Sequence, residues 1–166
     1  MLPRSPIIAT LVGLVGLAPM RFQASRAPNS HLASAVPDNA LEGAWRCPQV
    51  RVTLRNGTVI VDRQTTLLVA SKTHYSTNGT TGDPPQFYGN SGRYELAHDT
   101  LTLHPLVAMD PQERGGSKRY HVRAIGDTLW LTGRTEDFHH LKDGRLVPDT
   151  AVAYRVVEIL LIRAGR

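Results

Sequence analysis

The chain has one cysteine, two tryptophans, no apolar run long enough to cross a bilayer and no cluster of basic residues, and each shortage excludes something. A single thiol, Cys47, cannot close an intramolecular disulfide, so the fold must be held by burial of apolar side chains. Free cysteine packs like a small hydrophobe and nothing near Cys47 in sequence activates it. A buried strand residue is the expectation, with disulfide-linked dimers the alternative. The main apolar stretch, residues 7–18, is shorter than the roughly 20 residues a spanning helix needs. Lys and Arg are dispersed along the chain, which excludes the basic stripe of a nucleic-acid binder. No long segment places apolar residues at helical spacing, so the globular part is not helical.

What stands at the start is an address. Arg4 precedes the uncharged apolar run 7–18, the charged start and short core of a secretory signal, read here as residues 1–27. Ala24 and Ala27 are candidate cleavage positions, and Ala33-Ser34-Ala35 is a small-x-small match farther on. The chain is therefore expected to be secreted or periplasmic, with no stable membrane span once the signal is removed. The net charge of +5 falls to +2 when Arg4, Arg21 and Arg26 leave with that segment. Residues 28–40 are small and polar and read as a flexible leader. Residues 41–158 form one domain of ordinary size, and 159–166 a short C-terminal tail.

Within the domain, period-two alternation recurs. Val50, Val52 and Leu54 alternate with Arg51 and Thr53, Asn56-Gly57 supplies a tight hairpin turn, and Val59-Ile60-Val61 returns. A β-branched run over 66–75 ends in the polar stretch 76–85, which reads as irregular. Residues 92–96 pair with 100–104, and 120–125 with 128–132 across Gly126-Asp127. A last strand is expected over 150–157. About eight short strands joined by short connections predict an all-β fold, a single antiparallel up-and-down barrel that closes on itself and leaves no exposed edge. Alternation turns Val52, Leu54, Tyr94, Leu96, Leu101, Leu103, Tyr120, Val122, Leu129, Leu131, Tyr154 and Val156 inward.

Gly43-Ala44-Trp45, Thr73-His74-Tyr75, Gly92-Arg93-Tyr94-Glu95-Leu96, Asp99-Thr100-Leu101-Thr102-Leu103, Gly126-Asp127-Thr128-Leu129-Trp130-Leu131 and Tyr154-Arg155-Val156-Val157 occur in that order. Together they resemble the lipocalin-like domain of exported bacterial proteins, over essentially all of 41–158. The resemblance implies a calycin-type barrel of unassigned biochemical role. It also implies a closed end marked by Gly43 and Trp45, with Arg155 lying across the indole as a cation–π partner. The long C-terminal helix and the disulfides of many lipocalins have no counterpart here.

Chemistry is sparse. His139 and His140, with Glu136 and Asp137 before them, point to opposite faces if extended, and Gly133-Arg134 and Asp143-Gly144 beside them read as turns, so they are expected to be solvated loop residues. No metal ligand set is assigned and no cofactor is expected. Ser71 and Ser91 lack a nucleophile elbow, and no catalytic residue is assigned. Asn56-Gly-Thr58 and Asn78-Gly-Thr80 match the glycosylation sequon, but both read as turns. The candidate ligand-binding residues are Tyr75, Phe87, Tyr88, Tyr94, Tyr120 and Tyr154, with His74 and His104 at the barrel mouth. The function expected is binding of a small, apolar ligand or an envelope partner by a monomer or weak dimer, through loops 76–90 and 108–117. The alternatives are a haem- or metal-handling protein or enzyme built on His74 and His104, and a solid barrel acting as a structural or interaction module.

Overall fold

Left-handed turn residues set the strand order. The computed structural model describes residues 36–81, 84–149 and 154–165, all within the compact unit Ser34–Arg166. The signal segment expected over 1–27 lies outside the described residues. Strands β1 (Gly43–Leu54) and β2 (Val59–Ala70) are joined through Asn56-Gly57, where Gly57 has φ +87° and the Asn56 side chain accepts the Thr58 amide at 3.0 Å. After β3 (His74–Thr81), β4 (Gln86–Ala97) and β5 (Thr100–Ala108) turn at His98, φ +58°. Then β6 (Ser117–Ile125) and β7 (Thr128–Lys142) turn at Gly126, and β7 and β8 (Arg145–Pro148) at Asp143-Gly144. The last strand is β9 (Tyr154–Arg163).

Strands β1 to β7 each pair antiparallel with the next, and β9 lies between β7 and β1. The result is a closed, eight-stranded, up-and-down antiparallel barrel, as expected, with β8 added to β7 as a hairpin arm. Helix among the described residues is confined to the 3-10 turn Pro111–Glu113, in the connection from β5 to β6.

The core is the barrel lumen. Tyr94, Leu101, Tyr120, Val122, Leu129 and Leu131 are buried there as alternation predicts, joined by Trp45, Cys47, Leu68, Tyr75 and Phe138. Bulges change the parity in two places. At Pro48, which has no amide hydrogen to give the ladder, the register of β1 shifts between Cys47 and Gln49. On β9 the register shift opposite Thr53 and Leu54 leaves Arg155 between the paired residues Tyr154 and Val156, so Val157, in place of the expected Val156, is buried.

Several expectations are corrected. Residues 76–81, expected to be irregular as part of 76–85, are strand, because β3 continues to Thr81, pinned between β2 and β4. Asn78-Gly79 is therefore mid-strand. Gly79 is required for close approach: a Cβ there would lie 2.4 Å from the Thr65 carbonyl oxygen. Gly133-Arg134 is likewise no turn, and His139 and His140 are strand residues of β7 paired with Pro148 and Val147 of β8. The tail expected from 159 is strand through Arg163, since Ile159 and Leu161 continue the inward face. Residues 36–40, expected within the flexible leader, enter a hydrogen-bonded turn in which the Ala40 amide donates to Pro37 O at 2.8 Å, and Val36 and Leu41 join the core.

Gly133 sits under an aromatic cluster in which the Tyr120 and Phe138 rings are 5.2 Å apart and Phe138 and Tyr154 6.3 Å apart. A Cβ at 133 would fall 2.6 Å from Phe138 Cζ and 2.8 Å from Tyr120 Cδ1. Both rings are buried and cannot swing away. Gly133→Ala should cost about 1–3 kcal/mol through overpacking, read as a lower urea midpoint at unchanged slope. An unchanged midpoint would show that the cluster yields freely.

Candidate ligand cavity inside the barrel

One end of the barrel is sealed. Trp45 is 1% exposed, and its indole N–H donates to Leu41 O at 2.8 Å. The cation over its ring is Arg163, with the guanidinium carbon 4.3 Å from the ring centroid. Arg155, expected there, is exposed at the opposite end of β9, because the strand runs antiparallel to β1 and brings residue 163 beside residue 45. Arg163 also donates to Glu42 O at 3.1 Å. Gly43, at φ +117°, makes room for it: a Cβ there would stand 2.8 Å from the guanidinium. Gly43 and Trp45 meet at this end, and the arginine beside them is Arg163, not the expected Arg155.

Farther along the lumen the side chains leave a cavity of about 90 Å³. Leu68, Leu103, Leu131, Ile159 and Leu161 give it an apolar wall; Tyr75, Tyr88, Tyr120, Asn90 and Lys118 give it polar tips. The polar groups are organised from the connection between β5 and β6. Glu113, on the 3-10 turn, contacts the Lys118 ammonium, accepts from Asn90 Nδ2 at 3.1 Å and from the Tyr88 hydroxyl at 3.4 Å. The Thr77 hydroxyl donates to Asn90 Oδ1 at 3.0 Å. The Glu113 and Lys118 side chains are 17% and 19% exposed, so this charged pair is largely withdrawn from water and its members neutralise each other.

Tyr75 differs from its neighbours. The residue is 3% exposed, and its hydroxyl is the one buried side-chain polar atom without a hydrogen-bond partner among the described residues. Burial, with the charge of Glu113 second, raises the pKa values of Tyr75 and Tyr88 far above the usual phenol value. The fully enclosed Tyr120 moves the same way for the same first cause, and Tyr154 is pushed up to about 12 by burial, then by Asp149 and Glu113. Cys47, also on the lining, is pushed up to about 11 by burial, and its thiol donates to Gln49 O at 3.5 Å. It is a packed thiol, without the lowered pKa of a nucleophile.

Of the eight candidate binding residues, Tyr75, Tyr88 and Tyr120 line this cavity. Tyr94 is inward but belongs to the sealed end, where its hydroxyl donates to Ser71 O at 2.6 Å. Tyr154 packs edge-on against Phe138. Phe87 points outward, 59% exposed, beside Val107 and Met109. His74 and His104 are not at the mouth. They flank Arg93 in one cross-strand row, His74 opposite Arg93 and Arg93 opposite His104, on the outer surface of the barrel. The turn 71–73 before His74 lies at the sealed end, and the arginine between the histidines opposes a cation there.

Sequence reasoning missed Glu113, Asn90, Lys118 and Thr77. Asn90 and Lys118 carried a usable signal, since each lies two residues from a tyrosine on an inward face, Tyr88 and Tyr120. Glu113 carried none, because only the path of the connection brings it inward. In comparisons with known proteins, no family model, no curated protein and no solved structure matches the chain.

Proposed function

We propose that this chain is an exported, non-catalytic barrel of lipocalin-like kind that takes a small ligand into its lumen. The observation that carries the reading is the cavity of about 90 Å³, closed behind by Trp45 and Arg163 and bounded in front by the Glu113–Lys118 pair. Apolar walls with a few placed polar groups are the usual makeup of a ligand site. The absence of catalysis is supported by the chemistry of the lining. The Cys47 thiol and the hydroxyls of Tyr75, Tyr88, Tyr120 and Tyr154 are all held in their protonated forms by burial, so none of these is poised as a base or nucleophile near neutrality. Export rests on the charged start and apolar run of residues 1–27.

Native mass spectrometry of the protein recovered from its own host tests both parts. Material found outside the cytoplasm should lack about the first 27 residues and carry a retained small-molecule mass. The bare mass of the folded chain in every preparation would count against the ligand, and an intact N-terminus on the bulk of the protein against export.

A second reading is supported by the size of the same cavity. Drug-sized ligands occupy about 300–1,000 Å³, well beyond this lumen. A nearly solid barrel that presents its outer face to a partner fits that volume, and the exposed Phe87, Leu106, Val107 and Met109 form the apolar surface it would use. Loss of partner capture on Phe87→Ser with the lumen untouched would favour it over the first reading.

A further inference from the structure

We infer that Tyr75 is the anchor of the lumen and that its ligand is a compact, uncharged molecule bearing one hydrogen-bond-accepting oxygen, such as a small ether or ketone. The inference rests on the interior-binding reading and adds the chemical class.

Three observations define the class. Tyr75 lines the cavity and its hydroxyl is buried and has no partner, while Thr77, Asn90 and Tyr88 of the same lining are already bonded to one another or to Glu113. An orphaned hydroxyl in an apolar wall costs stability until an acceptor arrives, so the site is built for one acceptor. The charges at the rim, Lys118 and Glu113, are spent on each other. An anionic guest would meet Glu113 and a cationic one Lys118, and neither would find an unpaired counter-charge. The volume sets the size: about 90 Å³ is less than the roughly 150 Å³ cavity that admits benzene, so a guest has about five non-hydrogen atoms. The remaining wall of Leu68, Leu103, Leu131, Ile159 and Leu161 asks for an apolar body behind the oxygen. Because burial holds the phenol protonated, it donates throughout the neutral range.

Tetrahydrofuran and cyclopentane test this, having the same ring size and differing in one oxygen. Each is titrated into the folded chain and into Tyr75→Phe, following the methyl signals of the cavity leucines and Ile159 by NMR. Tyr75→Phe should weaken tetrahydrofuran by about three- to tenfold and leave cyclopentane unchanged or tighter. Equal changes for the two molecules would overturn the acceptor-oxygen class while leaving interior binding intact. No response of the cavity methyls to either molecule in the wild-type chain would overturn interior binding itself. The unliganded variant gives an independent reading, since removing an unsatisfied hydroxyl should raise Tm by a few degrees. A lower Tm in a correctly folded Tyr75→Phe would show that the phenol already has a partner, such as a trapped water, and would overturn the anchor role.

Discussion

Trp45→Ala should lower the free energy of unfolding by about 3–5 kcal/mol, a large part of the roughly 5–15 kcal/mol that a domain of this kind possesses. The indole fills the sealed end at 1% exposure, and its N–H satisfies the Leu41 carbonyl. Truncation would leave a void beneath Leu41 and Leu68 and strand that carbonyl. Arg163→Ala should cost about 1–2 kcal/mol, since it removes the ring contact and the hydrogen bond to Glu42 O. Urea unfolding of the two single variants and the double variant should show coupling of at least about 0.5 kcal/mol. The control is Arg155→Ala, which should lie within about 0.5 kcal/mol of wild type because residue 155 is exposed and far from Trp45. Additive losses for residues 45 and 163, or a cost at 155 equal to that at 163, would refute the assignment of the seal.

The second large effect is alkaline. Tyr75, Tyr88, Tyr120 and Tyr154 share one lumen, and burial raises all four pKa values above the unfolded value near 10. Below pH 10 both folded and unfolded chains hold these protons, and the full stability is present. Above it the unfolded chain releases protons that the folded chain must keep, so stability falls as pH rises toward the folded values. Each such tyrosine removes about 1.4 kcal/mol per pH unit in that window, and the four together about 5 kcal/mol by pH 11. Cys47, raised from 9.0 to about 11, starts its share one unit earlier. The urea midpoint should therefore hold up to about pH 9 and then drop steeply, with Tyr120→Phe flattening the drop if the variant folds. A midpoint at pH 11 equal to that at pH 8 would mean that the phenols are hydrated in the folded state.

The barrel itself could be read from residues whose signals are local. Asn56-Gly57, Gly126-Asp127 and Asp143-Gly144 each build the turn their backbone angles favour, and the alternation of Leu101, Leu103, Leu129 and Leu131 survives in the lumen. Misreadings fell where local preference and ladder geometry conflict. Asn78-Gly79 looks like a turn, but this glycine serves the close approach of β2, a requirement invisible before the strands are paired. Gly133 looks like a turn for the same reason and is in fact the space beneath Phe138. Of the candidate site, the inward parity of Tyr120 was legible, whereas Tyr88 fell in a stretch read as loop that pairing makes strand. Their place at the ends of candidate strands also assigned His74 and His104 to a shared rim, which they do not occupy.

The sequence by itself determined the fold class, the position of most turns, and the dependence of the fold on burial in a chain with one thiol. These follow from short-range backbone preference and from period two, which operate within a few residues. Only the tertiary structure decided which arginine covers the indole, which tyrosines meet, and that Glu113 reaches Lys118 from a loop. Bulges at Pro48 and Arg155 and the register of β9 against β1 settle those contacts. A one-residue shift in a strand moves every later side chain to the other face, and the extent of such shifts is fixed by pairing across the barrel.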